Sequence, residues 1–178
     1  MTDSVMAPEA PQDPPAVIRW WTELETKDRG GRAELRRCAS PLEVAFCPAY
    51  HRLVKMIGGG GDREDLARIA VGAAVLAHVR TDLGSSEESR RVRRLAKLAG
   101  TPSTEGGAPR VSETRFRHLL RTEQPEALQR ELIRLVRMVD GQAPVEQLFR
   151  DIRRWDEATR LDWARSYFLA TPANTKKE

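Results

Sequence analysis

Arginine is the residue type in this chain whose number and spacing best suit a chemical task. The sequence has 30 basic residues, of which five are lysines, so 25 are arginines. The guanidinium group is planar, stays charged and pairs with phosphate through two parallel hydrogen bonds. A GC-rich genome also writes arginine where others write lysine, so the excess by itself does not decide between function and codon usage.

Three arginines recur on one face of a predicted helix at 125–139. Arg130, Arg134 and Arg137 are spaced i, i+4 and i+7, so at about 100° per residue they lie within a stripe of about 60°. Leucines and valines occupy the opposite face, and Glu126 is the only acid near the stripe. A row of guanidinium groups can follow a phosphate backbone. The spacing therefore favours polyanion binding over an ordinary solvated face.

A second group of arginines lies in the segment RGGRAELRRC, residues 29–38. On a helix, Arg29, Arg32 and Arg36 gather within about 60°, and Arg37 lies about 100° beyond Arg36. We interpret Arg32 and Arg36 as supporting charges of a nucleic-acid site. Arg29 is placed in a flexible lead-in before the helix.

Patterns for catalysis or metal binding are weak. His51, His78 and His118 are scattered, with no HExxH arrangement and no Cys/His spacing that suits zinc. The glycines at 58–61 lack the following Gly-Lys-Ser/Thr of a phosphate loop and are predicted to be a connection. His78 falls in the most apolar segment and is interpreted as a hydrogen-bonded core histidine. We predict that the protein is not an enzyme and needs no metal or cofactor.

The composition predicts a soluble all-α protein. Hydrophobic residues make up 40% and charged residues 31% of the 178 residues, while aromatic residues make up only 6%. The net charge is +4, which suggests a polyanionic partner without proving one. No signal peptide and no membrane span is visible, and the two cysteines, Cys38 and Cys47, read as buried thiols in a reducing cytoplasm. A cytoplasmic location is therefore expected.

Proline, glycine and capping residues divide the chain into two predicted lobes. The N-terminal helical lobe covers 16–100, and it packs on a C-terminal four-helix bundle at 112–169. A loop at 101–111 connects them, with a disordered tail at 1–15 and a flexible tail at 170–178. The predicted helices begin near residues 16, 31, 41, 48, 63, 87, 113, 125, 145 and 157, and the apolar helix runs from 63 to 82.

Several segments in a fixed order resemble one known family. The chain contains, in sequence, WW, GRAELRRC, SPLEVAFCPAYHRLV, SETRFRHLLR and RRWDEATRLDWARSYF. Their order and the chain length are similar to those of the CasB family, the small subunit of the type I-E CRISPR surveillance complex Cascade. The resemblance spans about residues 16–169, and it is the combination of segments rather than any one of them that is specific.

The resemblance implies a non-catalytic subunit that holds nucleic acid in antiviral defence. Its partners would be crRNA, the target DNA with its displaced strand, the backbone and large subunits of Cascade, and a second copy of itself in a head-to-tail pair. No membrane partner is implied. The role would be to support crRNA-guided target binding and to stabilise the R-loop.

The resemblance also implies a set of basic contact residues. Carried over by local motif, these positions fall on Arg37, Arg63, Arg115, Arg121 and Arg134. A basic cluster that the family carries after the last tryptophan connection is replaced here by DEAT, for which Arg160 is a candidate substitute. The predicted nucleic-acid residues are therefore Arg32, Arg36, Arg37, Arg63, Arg115, Arg121, Arg130, Arg134 and Arg137.

Two other functional classes fit the same residues. One is an all-α scaffold whose arginines bind acidic protein partners, and it predicts no salt-dependent binding to nucleic acid. The other is a helix-turn-helix regulator, which needs polar residues at the start of a recognition helix. The segment PVEQLFRDIRR is a poor candidate for that role because its arginines come late.

Overall fold

The structure is a computed structural model that describes residues 15–84 and 95–172. Most of both predicted tails, and the first part of the helix predicted at 87–99, lie outside the described residues. Within them the chain forms helices and one very short parallel sheet, so the predicted all-α fold is confirmed. The elements are α1 (Ala16–Thr26), α2 (Arg29–Arg37), α3 (Pro41–Val44), α4 (Pro48–Met56), α5 (Arg63–Ala77), β1 (Thr81–Asp82), α6 (Leu95–Gly100), α7 (Glu113–Arg121), α8 (Pro125–Met138), β2 (Gln142–Ala143), α9 (Val145–Arg153) and α10 (Glu157–Ala170).

Local capping explains where several helices begin. Ser40 accepts a hydrogen bond from the Glu43 backbone N–H, and the Glu43 carboxylate accepts one from the backbone N–H of Ala39. This is a capping box whose return bond is shifted by one residue, from the N-cap Ser40 to Ala39. Asp62 caps α5 by accepting from the N–H of Asp65 at 2.9 Å. Both caps lie directly before the predicted helix starts at residues 41 and 63.

Two predictions about helix ends are wrong. The helix predicted at 63–82 ends at Ala77, because the chain then turns to form β1, which pairs in parallel with β2. This pairing joins residues about sixty positions apart, and no local pattern signals it. The helix predicted from Gly31 begins at Arg29 instead, because the Asp28 side chain caps it. Arg29 is therefore helical rather than part of a flexible lead-in.

Helix α5 is the centre of the packing. Helices α1 to α4 and the pair α8 and α9 all contact it, while α10 packs along α6. Gly72 permits the close approach of α9, since a Cβ at that position would meet the Phe149 ring at 2.7 Å. The four helices predicted for the second lobe are present, and their apolar residues share one core with those of the first. The lobe boundary at 101–111 stays a prediction.

Both cysteines are free thiols in the structure. Cys47 is buried and Cys38 half-buried, and their sulfur atoms lie 3.5 Å apart. Burial raises the pKa of the Cys47 thiol to about 12, so it is protonated at neutral pH. Among the described residues, no helix combines the length and the apolarity that crossing a bilayer requires.

Candidate nucleic-acid interface

Helices α7 and α8 form a groove that collects three of the predicted site residues. Arg115 comes from α7, and Arg134 and Arg137 come from α8, and all three are exposed. The groove has a volume of about 620 Å³. Its apolar wall comes from Val111, Phe116, Leu119, Leu135 and Met138. The result is an apolar channel with a basic rim.

The arginine stripe on α8 is not uniform in charge. Arg130 lies 3.8 Å from the carboxylate of Glu126, and Arg134 lies 2.7 Å from that of Glu131. The interpretation that Glu126 is the only acid near the stripe is therefore wrong, because the Glu131 side chain reaches across one helical turn to Arg134. Arg137 contacts no carboxylate among the described residues. The positive charge of the stripe is thus concentrated at its C-terminal end.

Arg32 holds the fold together. Its Nε donates to the carbonyl oxygen of Ala77 at 3.0 Å, and its Nη2 donates to that of Val79. These carbonyls close the C-terminal end of α5, where backbone acceptors lack helical partners. The side chain is only 15% exposed and also lies 3.4 Å from Glu25. Arg32 therefore fastens α2 to the end of α5, and its guanidinium is already engaged.

Arg36, one turn further along α2, has a different environment. It is exposed, and it contacts no carboxylate or carbonyl oxygen among the described residues. Partial desolvation and then the positive charges of Arg32, Arg80 and Arg137 lower its pKa. Three helix ends thus bring like charges together at one place.

His78 lies beneath these arginines. It is 5% exposed, and neither ring nitrogen has a hydrogen-bond partner among the described residues. Burial, followed by the charges of Arg137, Arg36 and Arg32, lowers its pKa to about 4. The interpretation as a hydrogen-bonded core histidine is wrong, because the apolar residues and arginines around it offer no acceptor. The imidazole is neutral at pH 7 and adds no compensating charge.

Sequence reasoning missed Arg80. It is exposed and directly precedes β1, and its backbone N–H donates to the carbonyl oxygen of Gly141 at 2.7 Å. Its aliphatic stem lies 3.0–3.2 Å from the place that a Cβ would take at Gly141, where φ is +73°. Only glycine leaves this space and adopts this φ without strain. Because the contact joins distant parts of the chain, no local signal could have placed Arg80 beside Arg137.

Three other predicted site residues are exposed and stand apart from the groove. Arg63 begins α5, at the opposite end of that helix from His78. Arg121 ends α7, and Arg37 ends α2. None has an ion-pair partner among the described residues. The structure does not bring them into contact with Arg115 and Arg137.

The candidate substitute after the last tryptophan is engaged elsewhere. Arg160 lies 2.8 Å from the carboxylate of Glu123 and also donates to the carbonyl oxygen of Leu120. Trp155 is buried, and its Nε1 donates to the carbonyl oxygen of Thr122 at 2.8 Å, so it is an interhelical core residue. In residues 15–84 and 95–172, no three His, Cys, Asp or Glu side chains are placed to hold a metal ion.

Fold and surface together define an all-α protein in which arginines without ion-pair partners among the described residues gather near the end of α8. The family model for CRISPR-associated protein Cse2 matches residues 31–168, and the chain therefore belongs to the Cse2 family, the CasB family of small subunits of type I-E Cascade. Membership gives the chain a role in the Cascade complex. A chain in the crystal structure of E. coli Cascade bound to a PAM-containing double-stranded DNA target has the same fold, with a TM-score of 0.64 and 23% identity over 89% of this chain and 98% of that one. Curated protein sequences provided no match.

Proposed function

We propose that this chain is a non-catalytic, nucleic-acid-binding subunit of type I-E Cascade that stabilises crRNA-guided target binding and the R-loop. Family membership supports the complex, and the observation that carries the binding role is the exposed, unpaired pair Arg115 and Arg137 at the α7/α8 groove. The likeness to a chain of DNA-bound E. coli Cascade is consistent with target DNA and the other subunits as partners. The protein would act in the cytoplasm.

The form of the groove supports a single strand as the ligand. A displaced strand has no fixed sequence, so it is held by charge along its backbone and by apolar contact with its bases. The groove offers a basic rim for phosphates and an apolar wall for base faces. The Glu131 carboxylate in the same groove neutralises Arg134, which leaves Arg115 and Arg137 as the residues free to meet phosphate.

A few phosphate contacts suffice for this role. Replacing a DNA duplex by an RNA–DNA heteroduplex is nearly balanced in free energy, so modest protein contacts decide whether the open state persists. Guide pairing supplies the sequence reading, and the protein need supply only shape and charge. The chain is accordingly expected to bind weakly alone and more strongly within the complex.

The test is a charge reversal at the two unpaired groove residues. Cascade is assembled with the Arg115→Glu/Arg137→Glu chain, and target affinity is measured as a function of salt, with permanganate reactivity of displaced-strand thymines as a measure of R-loop opening. We expect affinity to fall by about 100-fold at physiological salt and the salt dependence to weaken, because two phosphate contacts become repulsive.

The matched control is Arg19→Glu/Arg165→Glu. Both residues are exposed and have no ion-pair partner among the described residues. Because both double variants replace two arginines by two glutamates, they change the net charge of the chain equally. The proposal fails if both double variants weaken target binding equally, or if neither does. Loss of subunit assembly with unchanged binding of nucleic acid would instead favour the scaffold that meets acidic protein partners.

A further inference from the structure

Positive charge without a partner among the described residues gathers where α2, β1 and the end of α8 meet. Arg32 has a structural task on the carbonyls of α5, but Arg36, Arg80 and Arg137 have no carboxylate or carbonyl partner among the described residues. We call these three residues the arginine cluster. Like charges that lie close together without a counter-charge destabilise a fold. The arginine cluster therefore indicates a binding site for an anionic ligand.

The geometry that assembles the arginine cluster is specific. Arg36 lies one turn after Arg32 on the same face of α2, and Arg32 is fixed to the end of α5. Arg80 follows that end and packs on Gly141, three residues beyond the last turn of α8 in which Arg137 lies. The pairing of β1 with β2 holds the C-terminal ends of α5 and α8 together. The fold therefore brings arginine side chains from α2, the residue before β1 and α8 to one place.

Three acids on the elements around the cluster have partners of their own. Glu25 lies against Arg32, and Asp140 lies 3.5 Å from Arg110. Asp82 accepts a hydrogen bond from the Val145 backbone N–H at 2.9 Å and so caps the start of α9. Beneath the cluster, the ring nitrogens of buried His78 are unpartnered. An anion from outside the described residues would balance the charge at this place.

We infer that Arg36, Arg80 and Arg137 form a phosphate-binding site in which Arg80 is an essential member, and that a backbone phosphate of nucleic acid is its ligand. Guanidinium groups bind phosphate through paired, charge-assisted hydrogen bonds. The source of the phosphate rests on the proposed function, because Arg137 also borders the α7/α8 groove. The cluster would extend the basic path from that groove toward α2.

Repulsion within such a site lowers the stability of the free protein, and binding of an anion restores it. The first test measures this effect. The full chain is melted in chloride and in inorganic phosphate at equal ionic strength, as wild type, Arg80→Gln and Arg165→Gln. We expect phosphate to raise the Tm of the wild type and of the control variant by about 3 °C, and to raise that of Arg80→Gln much less. In chloride, Arg80→Gln should melt higher than wild type, because a repulsion is removed.

Two results of this experiment would overturn the site. One is a lower Tm of Arg80→Gln in chloride, which would give Arg80 a structural task. The other is equal protection of all three proteins by phosphate, which would mark a general salt effect. The same measurements are made on Arg36→Gln, which changes a cluster residue on α2. The conclusion then does not depend on a folding defect of the Arg80→Gln variant alone.

The second test separates the sources of the phosphate and keeps this inference distinct from the proposed function. Cascade containing Arg80→Gln should bind target DNA about tenfold more weakly, with a salt slope smaller by about 1. Unchanged affinity together with lost phosphate protection would assign the site to free phosphate and refute the backbone contact. In that case Arg115→Glu, which changes the groove but no member of the arginine cluster, still decides the proposed function.

Discussion

Three arginines of α9 and α10 differ from three arginines around the end of α8 in the charge that faces them. Arg150, Arg153 and Arg160 each lie within 2.8 Å of a carboxylate oxygen. Arg36, Arg80 and Arg137 lie near one another and contact no carboxylate among the described residues. Both groups belong to the same chain. Arginine thus stabilises the fold in one region and destabilises it in the other.

The comparison teaches how to tell a functional arginine from a structural one. A paired guanidinium satisfies an acid and positions two elements, as Arg153 does between α9 and α5. An unpaired guanidinium among other cations costs free energy through repulsion, and binding of an anion offsets that cost. Substituting a paired arginine of α9 or α10 should therefore lower stability without weakening binding. Substituting an unpaired arginine near the end of α8 should weaken binding without lowering stability.

Removing the acid of the α5–α9 pair should have the largest effect on stability. Asp65 accepts hydrogen bonds from Arg153 Nε at 2.9 Å and Nη2 at 2.7 Å. Asp65→Ala leaves a half-buried guanidinium without its partner, so we expect the free energy of unfolding to fall by about 2–3 kcal/mol. Urea denaturation measures it. As a control, Glu126→Ala removes the exposed pair with Arg130 and should cost no more than about 0.5 kcal/mol; equal losses would remove the distinction.

Two arginines one turn apart on α2 should respond in opposite ways. Arg32→Met loses the hydrogen bonds to the carbonyl oxygens of Ala77 and Val79, which should lower the free energy of unfolding by about 1–2 kcal/mol. Arg36→Met relieves repulsion and should leave stability unchanged or slightly raised. Urea titrations of both variants check this. A loss of stability at Arg36 equal to that at Arg32 would contradict the division between them.

His78 should make the protein less stable in mild acid. Its pKa is about 4 in the folded chain against an ordinary value of 6.5. As the pH falls from about 6.5 to 4, the unfolded chain takes up a proton that the folded chain does not, so stability falls. The backbone N–H of Gly31, and then Arg52, lower the pKa of Asp28, and the hydrogen bonds from Arg153 lower the pKa of Asp65. These carboxylates therefore lose their contribution to stability only at a pH below this window.

The measurement is the Tm across that pH window. We expect the wild type to lose roughly 5 °C between pH 7 and pH 4.5. His78→Gln cannot take up the proton, so its Tm should change little over the same range. A parallel decline in the two proteins would show that other groups control the acid response.

The smallest effects are expected at the isolated site residues. Arg63→Gln and Arg121→Gln remove exposed charges without partners among the described residues, so unfolding free energies should stay within about 0.5 kcal/mol of wild type. Target affinity of Cascade should fall no more than about threefold for each. A tenfold loss at either position would reveal a second contact surface away from the groove and would weaken the contrast between the two regions.

Local features of the chain were predictable because their causes are local. Ser40 and Asp62 cap the helices that were predicted to begin near residues 41 and 63, and α1, predicted from residue 16, buries Val17, Trp20, Trp21 and Leu24 at i, i+3, i+4 and i+7. The groove residues Arg115, Arg134 and Arg137 were also named in advance. What periodicity could not supply was the ion pairing that leaves Arg137 charged and neutralises Arg134.

The amino-acid sequence by itself determined the helical class, most helix boundaries, the family and the arginine-rich character, because these depend on short-range periodicity, capping and residue order. Tertiary structure alone decided which arginines keep their charge free. It placed Arg32 on the carbonyls of α5 and Arg80 beside Gly141. The physical reason is that ion pairing and repulsion act between side chains that are near in space, and residues that meet here are separated by 45 to 61 positions along the chain.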